Sequence, residues 1–424
     1  MIRFLLKGLA RDHSRSLFPV ITVMSGVSLT VLAYSWVMGV MGSMARNAAV
    51  HDAGHLRIMT SAYAAEASQV PNDMALTGAD ELVAEMRREH PDMLWTARIR
   101  FGGLLDVPDA AGETKAQGPV SGLGVDIFTP DSPEPRLLNL ARSVARGRMP
   151  SRPGEVLVSD DFALRLGVGA GDTVTLIGAT MDGAMAAANF TVAGTVRFGI
   201  AALDRGAMIA DLGDVRRALD MDDAAGEVLG FFGDLEFRRR AAEDIKARFN
   251  AGRADPGDPF APEMFTLRDA PGVGSQMDYF EYFSSLLVLV FLVPMSIVLW
   301  NAGLMGGLRR YGEIGLRLAI GESHRRIYGS MLAESVLIGL AGSILGTALG
   351  LAVSYYLQVR GVSLGNMLQG TSIMIEETVR ARVTPMSWVL GFVPGLTATL
   401  LGTGISGIGI FRRQTAQLAK ELGS

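Results

Sequence analysis

Leu17 to Met44 reads LFPVITVMSGVSLTVLAYSWVMGVMGSM, without one charged side chain, and its reading decides the fold. Three further stretches share that character: Tyr282 to Leu308, Ser335 to Gln358 and Val383 to Phe411. Each runs roughly 24–29 residues, above the ~20 that a helix needs to cross ~30 Å of hydrocarbon. A lipid-spanning helix satisfies its own backbone groups, so four such runs predict a helical membrane protein. The expected fold class is membrane α-helical, with four transmembrane helices. A large α+β extracytoplasmic domain is inserted between helices 1 and 2.

The basic residues give an orientation. Arg3, Lys7, Arg11 and Arg15 precede the first span, Arg309, Arg310, Arg317, Arg325 and Arg326 follow the second, and Arg412, Arg413 and Lys420 follow the fourth. Positive charge beside a span favours the cytoplasmic side. Both termini are therefore expected in the cytoplasm, with the large insert outside. The expected divisions are 1–16, an amphipathic cytoplasmic segment; 17–44, the first span; 45–279, the insert; and 280–308, the second span. They continue with 309–327, a cytoplasmic loop; 328–358, the third span; 359–382, a short outer loop; 383–411, the fourth span; and 412–424, a cytoplasmic tail. Leu17 to Met44 is far longer than the ~7–15 residues of a signal-peptide core, so it reads as an uncleaved anchor.

Composition excludes several functions. The formal net charge of −4 and the placement of the basic residues argue against nucleic acid as a partner. With no cysteine, disulfides, iron–sulfur clusters and thiol chemistry are excluded. The hydrophobic share of 49% and the mean hydropathy of +0.28 average a membrane half and a soluble half.

The insert carries the Pro and acidic density of a soluble domain. Gly54 to Ile58 reads as its first strand, and Asp80 to Glu89 as a helix with Leu82, Val83 and Met86 on one face, stopped by Pro91. Strand-like runs follow at Ile99 to Leu105, Gly122 to Phe128 and Glu155 to Ser159. Asp160 to Leu166 is a helix closed by Gly167, and Thr173 to Ile177, Phe190 to Val196 and Ala207 to Ala210 are strands. Leu212 to Leu219 and Glu236 to Phe249 are helices. The mixture has no βαβ rhythm, which makes the class α+β. About Gly118 to Ala224 is expected as a subdomain inserted between the two flanks.

Catalytic chemistry is thin. His51 and His55 have an i,i+4 spacing that can hold zinc on a helix face. Gly54 lies between them, no third ligand has the right offset, and the expected reading is a polar surface without metal. No Ser-His-Asp set assembles, and no P-loop sequence occurs, so the chain cradles no nucleotide phosphates by that motif. It is expected to be non-catalytic, with no cofactor of its own.

The loop between spans two and three reads Arg309-Arg310-Tyr311-Gly312-Glu313-Ile314-Gly315-Leu316-Arg317-Leu318-Ala319-Ile320-Gly321. Helical spacing sets Ile314, Leu318 and Ile320 on an apolar side and Glu313 with Arg317 (i,i+4) on another. Such a helix either rests on headgroups or takes a push from a cytoplasmic partner. Further on, Glu334 is a carboxylate near the cytoplasmic end of the third span, expected to anchor the loop rather than to handle protons or substrate. Gly339, Gly342, Gly346 and Gly350 make a stripe on one helix face, which in lipid lets backbones approach. Pro394 with Gly391 and Gly395 is expected to bend the fourth span.

The run Glu313 to Gly321, followed by Arg325-Arg326-Ile327 and by Glu334 entering a Gly-rich span, resembles the signature of the FtsX-like permease superfamily. That superfamily includes macrolide-exporter (MacB-like), lipoprotein-release and cell-division permeases. Gly147-Arg148, Glu155 to Val158, Ala163 to Gly167 and Gly171 to Leu176 resemble its extracytoplasmic core domain. Gly312 and Glu322 depart from the usual pattern of the loop. The resemblance implies that the loop is a coupling helix docking on an ATPase, through Glu313, Ile314, Gly315, Leu316, Arg317, Leu318, Ala319 and Gly321.

It further implies a permease subunit of an ATP-binding cassette (ABC) transporter of the bacterial inner membrane. ATP and Mg would be bound by a partner ATPase subunit. A second permease chain would complete the machine, as a homodimer or a related pair, with a periplasmic carrier or adaptor as a further partner. The substrate class implied is amphiphilic: lipoprotein, lipid, peptide or drug. The alternative is a cell-division-type permease that regulates an extracellular cell-wall hydrolase without transport. A membrane receptor with no ATPase is the third reading.

Overall fold

The structure is a computed structural model. It describes residues 13–279 except 110, 199, 200, 254 and 256, then 316–363 and 378–412. Between them it describes only 282, 283, 285, 286, 289, 290, 293, 294, 297 and 298. The expected amphipathic segment up to residue 12, most of the second span, Arg309 to Gly315 and the tail from 413 lie outside the described residues.

In chain order the elements begin with α1 (His13–Ala48), β1 (Leu56–Thr60), β2 (Leu76–Thr77), α2 (Ala79–Glu89), β3 (Met93–Pro108) and β4 (Thr114–Val125). Next come β5 (Val144–Gly147), β6 (Glu155–Ser159), α3 (Asp160–Leu166), β7 (Thr173–Ala179), β8 (Met185–Val196) and β9 (Ala207–Asp211). Then follow α4 (Leu212–Leu219), β10 (Ala224–Ala225), β11 (Glu227–Phe232), α5 (Arg239–Arg253) and β12 (Pro262–Thr266). The last are α6 (His324–Arg360), α7 (Pro385–Leu390) and α8 (Phe392–Arg412). The chain divides into two compact units, one of Gly42–Met277 with Ser363–Thr378 and one of Met1–Met41, Asp278–Val362 and Val379–Ser424.

The first of these units is α+β. Its ten-stranded sheet has the order β12-β1-β11-β3-β4-β9-β6-β8-β5, with β7 paired to both β3 and β8. β3 binds the halves together. Its first part pairs with β11 (Met93 to Arg98) and its later part with β4 (Arg98 to Pro108) and β7 (Gly103 to Asp106). The subdomain boundary expected at Gly118 falls inside β4. On one sheet face α2, α3, α4 and α5 bury Met86, Trp95, Phe162, Val215 and Ile245 in a large core. On the other lie Ala49, Val50 and Ala53, just past α1, with Leu229, Phe231, Leu267 and Ala270. Local signals set several boundaries. The Ser159 hydroxyl accepts from the Phe162 N–H at 3.4 Å to start α3, and Gly167 closes it in the left-handed conformation (φ 69°).

Among the described residues three helices are long and apolar enough to cross a membrane: Leu17–Ala53, whose residues up to Met41 belong to the second unit, His324–Arg360 and Pro385–Ile405. α6 has 37 residues, about 55 Å at ~1.5 Å per residue, so it extends well beyond ~30 Å of hydrocarbon. The fourth apolar stretch is broken at Gly391 into α7 and α8. Pro394 has no N–H for the Leu390 carbonyl, which removes the hydrogen bond that would carry the helix through.

Candidate functional site

The described end of the loop between the second and third apolar stretches is one helical turn, Leu316 to Ala319. Ile320 donates its N–H to the Leu316 carbonyl at 3.0 Å, and Gly321 donates to that of Leu318 at 3.0 Å. Gly321 then reverses the chain with φ 97°, a conformation that glycine adopts without a side-chain clash. Leu318 is half-buried and packs against Ile327 of α6. Leu316 and Ile320 stay 63% and 78% exposed. Leu318 and Ile320 therefore do not share one apolar side, contrary to the sequence expectation. A step of two residues already sets side chains about 200° apart on a helix. Arg317 is half-buried and Ala319 exposed. Glu313, Ile314 and Gly315 lie outside the described residues.

The glycine stripe of α6 faces two neighbours. A methyl group at Gly342 would come within 2.6 Å of Val23 Cβ, at Gly346 within 2.6 Å of the Met24 carbonyl, and at Gly350 within 2.9 Å of the Ser28 carbonyl. The numbers rise together, so α1 and α6 run parallel. At Gly339 the obstacle is Thr399 Oγ1 at 2.5 Å, while Gly391 and Gly395 lie against Thr347 and Ser343. These numbers run in opposite senses, so α7 and α8 are antiparallel to α6. Val23, Val27, Val31 and Leu351 form the small apolar core of the contact. Glu334 is half-buried and lies several turns inside α6, which begins at His324.

A third site escaped the sequence reading. Beyond α1 the chain makes a π-helical turn, Ala49–Ala53, and Gly54 (φ 63°) leads it into β1. The carbonyls at this helix end lack intrahelical partners and carry partial negative charge. Two arginines of β3 meet them. Arg98 is fully buried, and its Nη1 donates to the Val50 carbonyl at 2.7 Å. Its Nε and Nη2 donate to Glu134 Oε1 and Oε2 at 2.7 and 2.8 Å. Arg100 Nη2 donates to the Asp52 carbonyl at 2.7 Å, and its Nε to Glu227 Oε1 at 2.9 Å. Burial pushes the Glu227 carboxyl up, but Arg100 and Arg57 outweigh it and hold it below the usual carboxylate range. The signal was present as arginines two apart inside the apolar run Ala97 to Phe101, which puts both on one sheet face.

His55 is not on a polar surface, as the sequence suggested, but fully buried. Its Nδ1 accepts from the Phe232 N–H at 3.0 Å, and its ring stacks on Phe232 with centroids 5.3 Å apart. His51 is half-buried in the π-turn. Among the described residues no group of three or more His, Cys, Asp or Glu side chains is arranged to hold a metal ion.

Long apolar helices together with a folded α+β unit are the architecture of a multi-span membrane protein, and the comparisons find similar proteins of that kind. Residues 285–415 match the FtsX-like permease C-terminal family. The lipoprotein-releasing system transmembrane protein LolC of Xylella fastidiosa (strain 9a5c) is 24% identical over 233 residues, 53% of this chain and 54% of LolC. The macrolide export ATP-binding/permease protein MacB of Bordetella avium (strain 197N) is 28% identical over 117 residues, 28% of this chain and 18% of MacB. The chain thus spans about half the length of the LolC relatives it matches. The periplasmic region of MacB from Actinobacillus actinomycetemcomitans aligns in structure with 50% of this chain and 88% of its own, at 11% identity and a TM-score of 0.32. Its C-terminal part, residues 285–415, is thus similar to the FtsX-like permeases, and parts of the chain are similar to LolC and MacB.

Proposed function

We propose that this chain is the permease subunit of an ABC transporter of the mechanotransmission type, in the bacterial inner membrane. A separate ATPase subunit binds ATP and Mg and docks on the loop Glu313 to Gly321. The spans of two permease chains relay its closure to the α+β domains outside. Those domains handle or export an amphiphilic substrate. The chain itself carries no catalytic site.

The match of residues 285–415 to the FtsX-like permease domain carries this reading, because it contains the loop with its mixed charges. The loop's geometry suits docking. Leu318 fixes the turn to α6 while Leu316 and Ile320 remain available.

The test is co-purification of the full chain with an ABC ATPase subunit co-expressed from the same organism, followed by turnover in nanodiscs. Wild type should capture the ATPase, and charge reversal of Glu313 together with Arg317 should abolish capture. Retained capture by the reversed variant sinks the docking assignment. Hydrolysis stimulated by lipoprotein or lipid supports transport. Activation of a cell-wall hydrolase without such stimulation would move the chain to the cell-division type.

A further inference from the structure

We propose that Arg98 and Arg100 form the joint through which α1 drives the sheet, acting as positioning residues on the π-turn Ala49–Ala53. The proposal rests on the permease reading but concerns a site that the reading does not require. Four observations converge on it.

A buried charge is expensive, yet Arg98 and Glu134 are both fully buried and meet through two parallel hydrogen bonds. Replacing such a pair by apolar side chains commonly costs little stability, so burial energy does not explain it. What the pair does hold is geometry. The third donor of Arg98, Nη1, is fixed on the Val50 carbonyl, and the Arg98 guanidinium lies over the Phe231 ring at 5.8 Å.

Arg100 repeats the arrangement two residues on. Glu227 fixes its Nε, leaving Nη2 for the Asp52 carbonyl, and Asp52 Oδ1 adds an ion pair at 3.1 Å. Two points on one helical turn, Val50 and Asp52, are thus bound to two points on one strand. A single attachment is a swivel; two attachments resist rotation.

The strand chosen is β3, the one that pairs with β11, β4 and β7. A displacement of β3 therefore reaches both parts of the sheet. Finally, a π-turn widens the helix at this point, and Gly54 ends it by donating its N–H to the Ala49 carbonyl at 2.8 Å. Without the arginines this widened turn would be the place where a movement of α1 dissipates.

The experiment uses the full chain in nanodiscs with its co-purified ATPase, read by amide hydrogen exchange. In the paired variant Arg98→Met/Glu134→Leu, exchange at Val50 to Gly54 should quicken about tenfold or more while β3 and β11 keep wild-type protection. Adding ATP to wild type should alter exchange in β1, β3 and β11. In the variant that response should stop at Ala53, with ATP turnover within about twofold of wild type. A loss of packing alone would not remove a nucleotide response selectively.

Should the paired variant fail to fold, Arg100→Lys serves. It keeps a charge beside Glu227 but lacks the planar fork that reaches Asp52, and the same two changes should be seen in weaker form. Wild-type exchange at Val50 to Gly54 in the variants, or an ATP response that still reaches β3, overturns the proposal. If wild type binds its ATPase but ATP changes nothing in the sheet, the transmission role falls. If no ATPase is captured at all, the permease reading falls with it. These failures are read in separate arms.

Discussion

The side chain of Asn250 takes the place of a missing strand beside Met264. Its Nδ2 donates to the Met264 carbonyl at 3.0 Å, and its Oδ1 accepts from the Met264 N–H at 2.8 Å. β12 is an end strand of the ten-stranded sheet, and α5, which carries Asn250, lies against it. An uncovered edge is a template for pairing with another chain. Asn250→Ala should cost about 1–3 kcal/mol, the usual penalty of stranded backbone groups. It should also introduce concentration-dependent association, which light scattering at two protein concentrations would measure. A monodisperse variant of unchanged stability would show that the amide bridge protects nothing.

Two glycines of α6 should respond to alanine with opposite signs. At Gly346 the added methyl meets the Met24 carbonyl at 2.6 Å and Val27 Cβ at 2.8 Å. Backbone cannot yield cheaply, so overpacking should outweigh the helix propensity of alanine and destabilise by about 1–3 kcal/mol. Gly329 has nothing within 4 Å of the same methyl. Gly329→Ala should therefore stabilise, by about 0.5–1 kcal/mol. Thermal denaturation of both variants in one detergent gives the comparison, and equal shifts would remove the close approach of α1 and α6 from the account.

His55 makes the α+β domain acid-sensitive. Burial draws its pKa from 6.5 down to about 4, opposed by Asp234 and assisted by Arg46. The unfolded chain then binds a proton that the folded one refuses. Stability is full above pH ~6.5 and falls as pH drops towards about 4, by an amount of order 3 kcal/mol. His55→Gln should flatten this slope even if it lowers stability at neutral pH. Denaturant midpoints at pH 7, 5.5 and 4.5 would test it, and an unchanged slope in the variant would assign the sensitivity elsewhere.

At the loop, Leu316 and Ile320 should separate from Leu318. Leu316→Asp and Ile320→Asp remove exposed apolar surface and should leave the melting temperature of the isolated chain within a few degrees, while weakening ATPase capture at least about tenfold. Leu318→Asp sets a charge against the buried Ile327, and should destabilise the chain itself. Equal capture by all three would argue that the partner binds another face.

Much of the fold was legible wherever the signal was local. α3 was readable because the Ser159 cap and the Gly167 stop both lie within its own turns, and α2 and α4 because their apolar positions recur at helical spacing. β8 was recognised only from Phe190 onward, since its first half is mostly alanine, which has little strand preference. β11 was missed. Glu227 and Gly230 interrupt its apolar run, and it gains its place only between β1 and β3, which are distant in sequence.

The same distance hid the joint at the end of α1. Arg98 finds Glu134 and Val50 through the fold, and no spacing announces either partner. His55 was misjudged for a related reason, as the aromatic rings that enclose it come mainly from β11. The loop motif was legible as chemistry, but the packing of Leu318 depends on Ile327 beyond the Gly321 reversal.

Because β3 belongs to both parts of the sheet, residues 118–224 are not a cassette that can be lifted out. A graft of residues 118–224 from a relative would cut β4 in the middle of its ladder with β3, leaving half of that register to be met by a foreign sequence. Recombination, in the laboratory or in descent, has to carry Met93 to Phe232 together or to conserve the pairing partners of β3. Junctions outside that span are the ones that leave every ladder of β3 intact.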